Sequence, residues 1–273
     1  MRYSRMMSII VVAVVIAIGC GSGKPQDAAA KVKSAEGQDG SPLQLAQAPA
    51  AAQPTSTSGS ASVKGTIRFQ GTPPAPTKIK MDADPACLQQ HSTSFSGEDV
   101  VVNSQGMLKN VFVYVKEGVK GSFPASSAAV KLDQAGCWYH PHVFGIQVNQ
   151  PLEIINSDQT DHNINAISSS TNRTIFNVSQ PRVGVKMMTK KFTKPEVMVR
   201  LKCNIHSWMH AYAGVLEHPF FAVSDENGAF TLAGLPAGTY VIEAWHEQYG
   251  TQTQSVTVAD GESKSIDFTF KAQ

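Results

Sequence analysis

The stretch Val197-Met-Val-Arg-Leu-Lys-Cys203-Asn-Ile-His206-Ser-Trp-Met209-His210 alternates apolar and polar residues up to Cys203 and then turns. Val197, Val199, Leu201 and Cys203 share one face and Met198, Arg200 and Lys202 the other, the period of a half-buried strand, so Cys203 points inward at a strand end. The same period recurs around it. Val111, Val113 and Val115 alternate with Phe112 and Tyr114, Phe144, Ile146 and Val148 with Gly145 and Gln147, and Ile266, Phe268 and Phe270 with Asp267 and Thr269. No amphipathic helix longer than a couple of turns is evident after Val63, which predicts an all-β fold built from β-sandwiches.

Of the 273 residues, 42% are hydrophobic and 16% charged, and 23 Lys+Arg against 21 Asp+Glu leave a formal net charge of +2. That balance excludes an electrostatic nucleic-acid binder. Residues 1–20 read as a signal: Arg2 and Arg5 precede an apolar run, Ser8 to Ile18, that is too short to span a bilayer. Ala17-Ile-Gly-Cys20 resembles a bacterial lipoprotein lipobox, which implies lipidation of Cys20 and a membrane-anchored protein facing the periplasm or cell exterior. The alternative is an ordinary signal with an incidental Cys. Residues 21–62 are rich in Ala, Gln, Gly, Ser and Pro and lack aromatic side chains, as expected of a disordered linker.

Two phrases of the middle segment carry chemistry: Asn156-Ser-Asp-Gln-Thr-Asp-His162-Asn163, and Cys203 with His206 and Met209. A thiolate, two imidazoles and a thioether are the ligand set of blue-copper electron-transfer sites. With these residues residues 128–218 resemble the cupredoxin family, and the short Cys-x-x-His-x-x-Met loop looks most like that of amicyanin. The resemblance implies a Greek-key sandwich holding one type-1 copper, with His162, Cys203 and His206 in the trigonal plane and Met209 as the axial ligand. It also implies that Asn163 braces the ligand loop by hydrogen bonds, and that the edge of His206 near Trp208 is exposed and passes electrons. His210 is a possible competitor for Met209. If Cys20 is lipidated and Cys203 ligates metal, Cys87 and Cys137 remain, as a disulfide or as two buried thiols.

Val223-Ser-Asp-Glu-Asn-Gly-Ala-Phe-Thr-Leu-Ala-Gly-Leu-Pro-Ala-Gly-Thr-Tyr240 resembles the carboxypeptidase regulatory-like, transthyretin-like module, and its Asn227-Gly228 suits a tight hairpin. The opening strand of that family is missing near Val223 but present at Val63-Lys-Gly-Thr-Ile-Arg-Phe69. The expectation is therefore a transthyretin-like sandwich made of residues 63–127 and 219–273 with the cupredoxin-like segment inserted. A tandem arrangement is the alternative.

No second metal site is expected at His140 and His142, which lack a third ligand in sequence, and the absence of Cys-x-x-Cys-His excludes covalent c-type haem. No carboxylate pair, Ser-His-Asp set or phosphate loop points to an enzyme. Lys186, Lys190, Lys191, Lys194, Arg200 and Lys202 form a basic run with one acid, Glu196; it is either a solvated face or a patch steering an acidic redox partner. The expected function is single-electron transfer between exported redox proteins, with membrane attachment through the lipid. The rivals are a copper carrier, and a glycan or cell-envelope binding module using Tyr240, Trp245, His246 and Tyr249.

Overall fold

A computed structural model describes residues 59–91, 95–181, 187–189 (backbone only) and 191–272. The signal, the linker up to residue 58 and Cys20 lie outside the described residues. The fold is all-β. Among the described residues the helix is the single short Pro85–Gln90, and no helix is long and apolar enough to cross a membrane.

Strand Ala61–Gln70 lies between Ala229–Leu235, antiparallel, and Ser263–Ser265 with Phe268–Lys271, both parallel. A second sheet orders Phe221–Val223, Phe112–Glu117, Gly238–His246 and Gly250–Val258. Val63, Ile67, Val113, Val115, Leu232, Ile242, Phe268 and Phe270 fill the core they share. Residues 61–117 thus pair directly with residues 221–271, although more than a third of the chain lies between them.

The intervening residues build two sheets of their own. One orders Thr174–Gln180, His162–Ile167, Glu196–Lys202, His210–Leu216 and Val143–Gln147; the other orders Met187–Thr189, Leu152–Asn156, Val130–Gln134 and Tyr139–His140. Leu132, Trp138, Ile146, Ile154, Ile164, Val199, Leu201 and Val215 lie in their core, with Cys203 and Met209 at its edge toward the loops.

Two expectations of half-buried strands fail. Phe112 and Tyr114 were assigned to an outer face, yet both are buried, with Val143, Met198 and Leu216, in a third apolar cluster. Their strand belongs to one sandwich and is covered by the other. Met198 joins that cluster because the pairing of its strand shifts register between Glu196 and Val199, which breaks the strict alternation. Glycine permits the approach: a Cβ on Gly214 would lie 2.2 Å from the Phe112 ring, and one on Gly145 2.1 Å from the Phe221 ring.

Candidate metal centre

Three strand ends and one short helix converge at the centre. Cys203 follows strand Glu196–Lys202, and the turn Cys203-Asn-Ile-His206 is closed by Cys203 N donating to Met209 O at 3.1 Å and Met209 N to His206 O at 3.0 Å. His206 N also donates to Cys203 Sγ at 3.4 Å. His162 begins strand His162–Ile167, which pairs with Glu196–Lys202 and so meets the turn. The donor atoms of His162, Cys203 and His206 lie within 4.8 Å of one another, and all three side chains are buried. Met209 is fully buried in the same core cluster as Cys203.

Asn163 holds the turn from the side. Its Oδ1 accepts from Asn204 N at 2.7 Å and lies 3.4 Å from Cys203 Sγ, while its Nδ2 donates to Asn177 Oδ1 at 2.7 Å. Tyr139 donates to the Asn163 carbonyl from below.

The outer nitrogen of each imidazole is committed to a carboxylate that sequence reasoning left unassigned. His162 Nε2 sits 2.8 Å from Asp158 Oδ2, and His206 Nε2 sits 2.9 Å from Asp84 Oδ2. Burial alone would raise the Asp84 carboxyl, but hydrogen bonds from Thr160, His206 and the helix N-terminus outweigh it and hold the group at about 2. Asp158 is likewise lowered, against its burial, by His162 and by the Cys137 and Gly136 amides. Anionic carboxylates can only accept, so both Nε2 atoms carry protons.

The two Nδ1 atoms then present lone pairs to each other at 2.9 Å, beside Cys203 Sγ, which is 3.9 Å from His206 Nδ1. A proton or a cation must lie between them. Burial would lower His162, but Asp158 and Cys203 raise it to about 9. Burial would likewise raise the Cys203 thiol, and the hydrogen bonds from His162 and His206 bring it to about 5 instead. A thiolate and two inward imidazole lone pairs, with a buried thioether beside them, fit copper.

Disulfide Cys87–Cys137 joins the two carboxylate arms. Asp84 caps helix Pro85–Gln90 by accepting from Ala86 N at 2.8 Å and Cys87 N at 3.3 Å. Asp158 accepts from Gly136 N and Cys137 N, both at 2.7 Å. Gly136 and Cys137 are both left-handed, with φ of 63° and 54°, so successive amides converge on one carboxylate. The Asp84-Pro85 pair was the readable signal for this helix.

This cap changes one expectation. The edge of His206 is not exposed: His206 is 2% accessible, with Asp84 on Nε2 and Cys87 Sγ at 3.8 Å. Trp208 is half-buried, its ring 5.0 Å from that of His206, and it donates to the Cys137 carbonyl at 3.1 Å. His210, the competitor considered for Met209, has both ring nitrogens engaged elsewhere. Its ring turns away, Nδ1 to Trp208 O at 3.1 Å and Nε2 to Asp99 Oδ1 at 3.0 Å. His140 is exposed and His142 is buried. Of the aromatic residues considered for glycan binding, Tyr240 and His246 are core and Trp245 and Tyr249 half-buried. Lys191, Lys194 and Arg200 are exposed and Lys202 half-buried, whereas Lys186 and Lys190 lie outside the described residues.

Residues 216–271 match the family model of the carboxypeptidase regulatory-like domain. No curated protein matches the chain. Among solved structures, a copper-containing nitrite reductase from Thermus scotoductus is similar over 38% of this chain at 23% identity and a TM-score of 0.28, and the match spans 25% of that enzyme. A purple cupredoxin from Nitrosopumilus maritimus aligns with 31% of this chain and 97% of its own at 22% identity and a TM-score of 0.26. A reduced amicyanin variant aligns over 38% and 97% at 15% identity and a TM-score of 0.29.

Proposed function

We propose that this chain is an exported, lipid-anchored copper protein that carries single electrons, with His162, Cys203 and His206 as strong ligands and Met209 as the weak one. The observation that carries this reading is the pair of Nδ1 atoms facing each other at 2.9 Å while both Nε2 atoms are held by carboxylates. Bound copper would supply one-electron exchange there, since thiolate, imidazole and thioether suit both of its oxidation states. The chain's own contribution is rigidity. Asn163 fixes the turn, Asp158 and Asp84 fix the ring orientations, and the disulfide fixes both carboxylates.

Burial under a cross-linked cap favours retention of the metal over its delivery. The buried positions of Tyr240 and His246 disfavour a glycan platform. Ile205, 55% exposed beside His206, offers an apolar contact for a redox partner docking close to the centre.

Stoichiometric Cu(II) should give an intensely coloured protein that is reduced and reoxidised reversibly while keeping its metal against a moderate Cu(I) chelator. Rapid loss of Cu(I) would turn the reading toward a carrier, and failure to bind one equivalent would end it. For the anchor, Cys20→Ser should move the protein from the membrane fraction to soluble or unprocessed material. Identical fractionation of variant and wild type would refute lipidation.

A further inference from the structure

A second cluster of metal-binding side chains lies outside the centre, at the junction of the two sandwiches. His142 precedes strand Val143–Gln147, His210 opens strand His210–Leu216, Glu247 sits in the turn after Gly238–His246, and Asp99 follows Phe95–Ser96. One donor atom from each lies within 4.8 Å of all the others. His210 Nε2 is 3.0 Å from Asp99 Oδ1 and 3.5 Å from Glu247 Oε2, and His142 Nε2 is paired with Glu247 Oε1. The imidazole rings are 5.1 Å apart, edge to face, and Trp138 packs against both.

Burial and incompletely met bonding set this cluster apart from a surface ion pair. The side chains of His142 and Glu247 are 1% and 3% exposed. Glu247 Oε2 is buried and faces the cluster, where His210 Nε2 at 3.5 Å is too long a contact to count as a good hydrogen bond. Burial would raise the Glu247 carboxyl, but His142 and His210 outweigh it and hold the group at about 2, so it is an anion at neutral pH. A buried anionic oxygen served only by a long contact is poorly compensated, and a cation bound there would satisfy it more directly.

We propose that Asp99, His142, His210 and Glu247 form a second site, for a borderline divalent ion of the zinc class, that clamps the two sandwiches together. Two imidazoles and two carboxylates at this spacing match the donor preferences of such ions and lack the thiolate that a blue copper centre needs. Because Glu247 belongs to the carboxypeptidase regulatory-like segment and both histidines to the other sandwich, one ion would cross-link strands from each. His210 directly follows Met209, so the same ion would anchor the far end of the ligand turn.

The test is a Co(II) titration of the full chain, purified and stripped of metal, read by equilibrium dialysis and absorption spectroscopy. The expected result is two equivalents, one with near-ultraviolet thiolate charge transfer and one with d–d bands alone. Cys203→Ser should lose the charge-transfer band and keep the second equivalent. Glu247→Gln should weaken the second equivalent by roughly tenfold or more and keep the charge-transfer band, and Zn(II) should displace Co(II) from it. Asp99→Asn, at a side chain 25% exposed, should weaken it likewise and serves if Glu247→Gln does not fold. The site is refuted if the full chain or Cys203→Ser shows no thiolate-independent equivalent, or if both carboxylate variants bind that equivalent as tightly as wild type does.

Discussion

Cys203→Ser, loaded with Cu(II), should lose its visible absorption by at least roughly tenfold, because the intense band arises from charge transfer out of a bound thiolate and a serine hydroxyl cannot replace it. The substitution should otherwise be mild. Cys203 is 2% exposed, and a serine hydroxyl at the same place can donate to Asn163 Oδ1, which lies 3.4 Å from the sulfur. The cost in stability should therefore be on the order of 1 kcal/mol, the usual scale for a buried group that keeps a partner. Far-ultraviolet circular dichroism and urea unfolding check the fold, and the visible spectrum checks the ligand. A variant as coloured as the wild type would show that the sulfur of Cys203 is not bound to copper.

Replacing both halves of the cap, Cys87→Ser with Cys137→Ser, should lower unfolding stability by about 4 kcal/mol, the loop-closure value for a loop of this length. The bridge spans a sequence separation of 50, and both sulfurs belong to fully buried residues. The functional effect should be as informative as the structural one. The bridge joins the helix capped by Asp84 to the turn whose amides hold Asp158, so its loss frees both carboxylates that orient the imidazoles. Loss of such supporting hydrogen bonds typically weakens metal affinity by about 10–100-fold, and copper retention against a chelator should fall by that factor. Urea midpoints under oxidising conditions and a chelator competition measure the two effects. Changes below about 1 kcal/mol and about threefold would mean that the cap is held by packing and not by the cross-link.

The local features were legible because they are written in short-range order. Period-two alternation predicted the all-β fold, and the spacing of Cys203, His206 and Met209 brought a thiolate, an imidazole and a thioether onto one turn. Asn163 was readable by its place beside His162. What failed was any inference about what covers a face. Phe112 and Tyr114 alternate as a half-exposed strand should, and only the second sandwich decides that they are buried.

The carboxylates were illegible for a related reason. Asp84 meets His206 across 122 residues of sequence, and Glu247 meets His142 across 105. An acid on a polar loop has the same local sequence whether it is solvated or aimed at an imidazole, since the difference lies in desolvation and partner geometry that only tertiary contacts create. Sequence by itself determined which atoms could bind a metal. The tertiary structure decided which way each ring faces, by placing Asp158 and Asp84 on the outer nitrogens so that the inner ones converge.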